Sequence, residues 1–242
     1  MVSMASLGPE NAIQSKTGWA DANTAAAVSL DSGTRAGSTV TVEIWCGSVP
    51  ITQGGLSGRV PAGFETDACA VDNVNTPQLY VFRKRNVAAG EGVSGSTSWD
   101  FGYVAANNWY WRATEWDTNL EPVGPLEARS GNFGTGTWIT SLSTGSTPTT
   151  SRAPTVCLAF FHWHRAGGGA PTVSWTSYDN GFTERDQIRR ASGTTEYCAA
   201  WAWAFQAATG AFSCTGSNSI SARAAGDIFY AMLVVYAATT YA

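Results

Sequence analysis

Short runs of β-branched and aromatic residues, each closed by a cluster of Gly, Asn, Asp, Pro or Ser, recur along most of this chain, and helical periodicity is scarce. No other feature restricts the fold as much, because strand signals at short, turn-bounded intervals describe a sandwich or barrel. Nine runs carry the pattern: residues 38–46, 78–85, 95–101, 108–117, 138–142, 154–165, 171–178, 196–207 and 227–236. In the second run Leu79, Val81, Arg83 and Arg85 alternate with Tyr80, Phe82 and Lys84, so the two sets point to opposite faces. Ala199 to Phe205 and Ala231 to Tyr236 are apolar on both faces, as in a strand covered by a second sheet or by a neighbouring subunit. The stretch Gly18 to Leu30 is the best helix candidate, though its apolar residues are mostly alanine and it reads equally as loop and strand.

The turns agree with this reading. Asp179-Asn180-Gly181 supplies residues that tolerate positive φ and predicts a tight connection. Ala166 to Pro171 reads as a flexible loop between adjacent strands, and Thr144 to Arg152 as a long Ser/Thr-rich surface loop. No internal repeat of fixed period is present. The expected fold is all-β, a jelly-roll-like antiparallel β-sandwich over residues 18–242 behind an N-terminal arm of residues 1–17.

Charge and aromatic content narrow the function. Charged residues are 13% of the chain, about half the usual share, whereas 11 Trp, 10 Phe and 8 Tyr need burial. Few charges with many aromatics suit a surface hidden in an assembly. The net charge is −4, and the one basic cluster, Arg83-Lys84-Arg85, sits inside an apolar run, which argues against nucleic acid as a partner. Residues Met1 to Glu10 lack a basic start followed by an apolar stretch, and the run Phe229 to Ala238 is too short to span a bilayer as a helix. Synthesis in a cytoplasm, without membrane insertion, is the expectation. The odd set of cysteines, Cys46, Cys69, Cys157, Cys198 and Cys214, has no C-x-x-C pair and reads as reduced structural thiols.

Several constellations could carry chemistry. Glu115 and Asp117 lie two apart on a predicted strand and so share a face, as in the Glu-x-Asp-x-(x)-Glu strand of laminarinase-type jelly-roll glycosidases. Glu121 comes too late for that spacing, and Pro122 places it in a loop. Solvated acids at a strand end are the favoured reading, with no catalytic residue assigned. His162 and His164 share a face and could chelate a metal, but no third ligand is indicated; a structural pair is preferred, with no metal or other cofactor. No Gly-x-Ser-x-Gly elbow or phosphate cradle is present. The candidate binding residues are Trp109, Trp111, Trp116, Trp201 and Trp203, as an aromatic platform for sugar rings or as interface anchors, weighed against ordinary core filling.

The order of motifs resembles the β-sandwich minor tail and virion-surface proteins of phages that infect actinobacteria. The residues concerned are Ala36 to Val42, Pro61-Ala62-Gly63-Phe64, Val81 to Lys84 with Gly90-Glu91, Arg112 to Trp116, Gly181 to Glu184, and Asp227 to Tyr236. Each motif is weak alone and their order carries the resemblance, over about residues 36–238. It implies a jelly-roll fold, a place on the virion, packing as a homo-oligomer such as a trimer, contacts with other tail or capsid proteins, and no cofactor. Contact with a host-surface glycan is compatible with it. The chain is richer in Trp and Cys than the resemblance suggests. The alternatives are a carbohydrate-binding jelly-roll module, a capsid decoration protein and, less favoured, a laminarinase-like hydrolase.

Overall fold

A computed structural model describes residues 8–20, 27–46, 60–70, 78–101, 109–123, 128–132, 140–166, 174–192, 195–219 and 228–239. The protein is all-β: among the described residues there is one short 3-10 turn, Pro9–Asn11, and no α-helix. The strands are β1 (Ala12–Ala20), β2 (Ala27–Val28), β3 (Thr39–Cys46), β4 (Phe64–Ala70), β5 (Gln78–Lys84), β6 (Trp99–Asp100), β7 (Trp109–Trp116) and β8 (Asn119–Pro122). They continue as β9 (Ala128–Asn132), β10 (Ser141–Ser143), β11 (Thr155–Ala166), β12 (Trp175–Tyr178), β13 (Thr183–Ser192), β14 (Thr195–Gln206), β15 (Thr215–Asn218) and β16 (Ile228–Thr239). The chain divides into two compact units, Met1–Glu121 with Ala238–Ala242, and Pro122–Ala237. The sequence reading has a single domain behind an arm. β1 begins inside that arm, at Ala12, and pairs with β7. Of the helix candidate, Gly18–Ala20 close β1 and Ala27–Val28 form β2; residues 21–26 lie outside the described ones.

The first unit is built on an antiparallel sheet of order β1-β7-β3-β5-β4. One face is apolar. Val40, Val42 and Ile44 of β3, Tyr80 and Phe82 of β5, and Trp111 and Ala113 of β7 pack under Val28, Leu30, Val87, Trp99 and Phe101. Of these, Val28, Leu30, Trp99 and Phe101 belong to the β2–β6 ribbon and its flanks, and Val87 follows β5. Leu30 is held to the following loop by its N–H, which donates to Gly92 O at 2.7 Å. The period-2 alternation of β3 sends Thr39, Thr41 and Glu43 to the opposite face, where register places Thr41 beside Thr114 and Arg83, and Glu43 beside Arg112. That polar face is buried too: Thr41 and Thr114 are fully enclosed, and Glu43, Arg83 and Arg112 nearly so.

The second unit is a sandwich of two sheets. Strands β13-β14-β11-β16 form the larger one, with β9 paired to β16; β10-β15-β12 form the smaller. Between them lie Cys157, Ala159, Phe161 and Trp163 of β11, Cys198, Ala200, Ala202 and Ala204 of β14, and Phe229, Ala231, Leu233 and Val235 of β16. The alanines have a packing reason. Phe161 is flanked across the strands by Ala200 and Ala231, which leave room for its ring, and the ring sits 5.0 Å from that of Trp175. The other faces of β14 and β16 are also buried, so the two-sided apolar runs are covered within one chain over 199–204 and 231–236, with Phe205 half-buried. They need no neighbouring subunit to account for them.

The turn at Asp179-Asn180-Gly181 forms as its composition predicts. Asn180 and Gly181 have φ of 53° and 76°, and Phe182 N–H donates to Asp179 O at 3.1 Å. Two successive positive φ values are the signature of the type I′ hairpin turn.

Candidate functional site

The acids singled out in the sequence do not assemble. Glu115 is fully buried near the end of β7 and accepts hydrogen bonds from Gln14 Nε2 (2.6 Å), Arg35 N–H (2.7 Å) and Ser38 Oγ (2.6 Å). A carboxylate saturated in this way ties β1, β3 and β7 together at one rim of the sheet. β7 stops at Trp116, so Asp117 is not on the strand that was to align it with Glu115; it is exposed, and its N–H donates to Asn11 O. Glu121, read as a loop residue, lies on β8, and its carboxylate faces Arg83 and Arg85. Register sets Glu115 beside Val40 on the apolar face, whereas Arg83 stands beside Thr41 on the polar one. Glu115 and the partner of Glu121 are therefore on opposite faces of one sheet, which no retaining pair could be.

The basic cluster is structural as well. Arg83, 3% exposed, donates from Nε and Nη2 to both oxygens of Asp67 (2.8 and 3.2 Å), from Nη2 to Glu65 (2.8 Å) and from Nη1 to Leu120 O (2.8 Å). Lys84 pairs with Glu91 at 2.5 Å, and Arg85 with Glu65 and Glu121. Glu43 is different. Its Oε2 makes no hydrogen bond among the described residues, and burial pushes its carboxyl up to about 7, against the opposing pull of Arg112 and Thr41.

The tryptophans are core. Trp111 belongs to the apolar cluster of the first unit, and Trp116 is wholly buried with its Nε1 donating to Thr41 Oγ1 at 3.0 Å. Trp201 and Trp203 are at most 5% exposed, and the Arg185 guanidinium lies 5.2 Å from the Trp203 ring centroid. Rings so enclosed fill the core and present no open face to solvent. The Trp109 side chain lies outside the described residues, as does that of His164. His162 is buried on β11, and no cluster of three metal-ligating side chains occurs among the described residues. Cys157 and Cys214 are free, buried thiols, and the buried Cys198 Sγ donates to Gln187 Oε1 at 3.1 Å. Burial raises Cys157 to about 12 and pushes Cys214 up as well, so neither supplies a ready thiolate.

What the sequence did not indicate is a depression of about 370 Å³ in the second unit, lined by Asn180, Phe182, Gln206, Ala211, Phe212 and Ser213. Its walls are fixed by their neighbours. Asn180 Nδ2 donates to Ser213 O at 3.0 Å and to Ser213 Oγ at 3.3 Å. Asp179 exchanges two bonds with Thr215: its Oδ1 accepts from Thr215 N–H (2.6 Å) and its N–H donates to Thr215 O (3.2 Å).

The segment 210–214 is held by three threonines spaced three apart, each using the same pair of bonds. Thr144, Thr147 and Thr150 donate their N–H groups to the carbonyls of Cys214, Phe212 and Gly210, each at 2.8 Å. Their Oγ1 atoms accept from the N–H groups of the same residues at 3.0, 3.0 and 3.1 Å. Residues 144–152 form a loop, as their composition predicts, and this ladder anchors it. The threonines are buried, whereas Ser146, Pro148 and Thr149 between them are exposed. The sequence signal was the three-residue threonine period, which a search for strand or helix periods passes over.

No protein-family model, curated protein or solved structure matches the chain.

Proposed function

We propose that this chain is a non-catalytic structural protein of a tailed-phage virion: a jelly-roll β-sandwich of the minor tail or tail tip that assembles with copies of itself and with other tail or capsid proteins. The observation that carries the reading is how the fold uses its reactive side chains. The one strand-borne carboxylate placed like a glycosidase nucleophile, Glu115, is enclosed and accepts three hydrogen bonds, and the basic cluster is spent on Glu65, Asp67, Glu91 and Glu121. The ordered motifs add support. They fall on β3, the turn into β4, β5, β7, the turn into β13, and β16. Low charge agrees with a protein that works inside an assembly.

Light scattering on the purified chain at micromolar concentration tests the reading. A homo-oligomer of fixed stoichiometry, a trimer in the simplest case, is expected. A monomer at every concentration, with no affinity for the other proteins of the particle, would count decisively against it. Hydrolysis of an actinobacterial wall polysaccharide that disappears in Glu115→Gln would restore the glycosidase reading instead.

A further inference from the structure

We infer that the depression bounded by Asn180, Phe182, Gln206, Ala211, Phe212 and Ser213 is a binding site for a neutral sugar residue. Three observations point to that chemistry. The first is the lining: the partly exposed ring of Phe212 backed by the buried Phe182, two side-chain amides and a hydroxyl, with no charged side chain among the six. A sugar presents an apolar C–H face and a rim of hydroxyls, which such a lining matches. A phosphate or a carboxylate would lose hydration there without a counter-charge.

The second is unused hydrogen-bonding capacity. The Gln206 amide makes no hydrogen bond among the described residues, and Asn180 spends only its Nδ2, leaving Oδ1 to accept. Two donors and an acceptor on Gln206, with the Asn180 acceptor, suit hydroxyls that both give and take a proton. Asp179, the nearest acid in sequence, turns its carboxylate to the Thr215 N–H.

The third is rigidity. The type I′ turn sets Asn180 and Phe182, and the threonine ladder sets residues 210–214, so the site exists before a ligand arrives and little ordering opposes binding. The volume, about 370 Å³, lies at the lower end of small-ligand sites and suits one unit of a glycan rather than a long segment. This inference stands apart from the virion reading, since the site belongs to the chain whatever particle carries it.

Saturation-transfer NMR on the full chain, with the methyl glycosides of galactose, mannose and arabinose and with N-acetylglucosamine, tests the site. Glucuronate and glucose 6-phosphate serve as charged controls. Transfer to the ring C–H protons of at least one neutral sugar is expected, with none to the charged pair. Gln206→Ala should weaken binding by about fivefold, the usual effect of losing one hydrogen-bonding group. Ala211→Trp fills the depression from an exposed position and should abolish binding while the thermal midpoint stays unchanged. Transfer to none of the neutral sugars, transfer that persists in Ala211→Trp, or preference for a charged control would each overturn the assignment. A monomeric protein that still binds the sugar would fail the virion reading and leave the site intact.

Discussion

The central strands of the two units' main sheets are buried on both faces, yet they fill them differently. In the first, the hidden second face carries Glu43, Arg83, Arg112 and a row of threonines. In the second, the buried residues of β11, β14 and β16 are mostly alkyl, aromatic or alanine, with Thr155, His162 and the thiols of Cys157 and Cys198 among them. The difference lies in what each sheet requires of its neighbours. An apolar face gains from any close-packed cover. A buried guanidinium such as that of Arg83 needs its donors matched, so it demands specific partners at specific registers. β4 and β8 supply them, through Glu65, Asp67, Glu121 and the Leu120 carbonyl. The first unit thus depends on hydrogen-bond geometry, the second on volume.

Four experiments would break or sharpen this contrast. Arg83→Ala leaves the Asp67 carboxylate, 5% exposed, without its bidentate partner, and should cost about 3–5 kcal/mol in denaturant unfolding. A double change, Arg83→Met with Asp67→Leu, should recover most of that loss; failure to recover would mean that the charges matter beyond matching one another.

Glu43 gives the next effect, through pH. Its folded pKa, about 7, lies above the ordinary 4.5, so the folded state holds the proton more tightly. The associated stability is fully present below pH 4.5 and is lost as pH rises through about 7. The loss is on the order of 3 kcal/mol. Glu43→Gln should flatten that slope and leave the variant the more stable form at pH 8. A wild-type midpoint that does not fall between pH 5 and pH 8 would refute the assignment.

In the second unit, a Cβ added at Gly216 would come within 2.8 Å of Phe161 Cε1. Gly216→Ala should therefore cost about 1–3 kcal/mol by thermal unfolding, as overpacking does. Pairing it with Phe161→Leu should relieve part of the cost if volume is what governs. The smallest effect is expected from Thr147→Val, which removes the acceptor of the Phe212 N–H, at about 1 kcal/mol. The same change should loosen Phe212 and weaken sugar binding, an outcome that NMR would read directly.

The strands that the sequence revealed are mostly those buried on both sides. β3, β5, β7, β11, β14 and β16 announce themselves through β-branched and aromatic density. Those it hid are polar or short. β13, TERDQIRRAS, is an edge strand with one neighbour in its sheet, and β1 and β4 are the two edges of the first sheet. Edge strands carry charge and polar side chains that blunt self-pairing, which removes the apolar alternation by which strands are recognised. The Trp cluster was visible, but its burial was not: period 2 gives a face, without saying whether that face meets solvent or another layer.

The depression was invisible for a related reason. The sequence marks Asn180 only as a turn residue and gives Gln206 and Phe212 no distinction, and the pairing of 210–214 with the threonines brings them together. The sequence by itself determined the fold class, the central strands and the Asn180-Gly181 turn. These depend on local backbone preference and hydrophobic period, which act over a few residues. Tertiary structure alone decided that Glu115 is a buried tie, that Arg83 is matched by four acceptors, and that a small polar hollow opens beside the turn. Those outcomes depend on which distant segments meet, and no local preference encodes that.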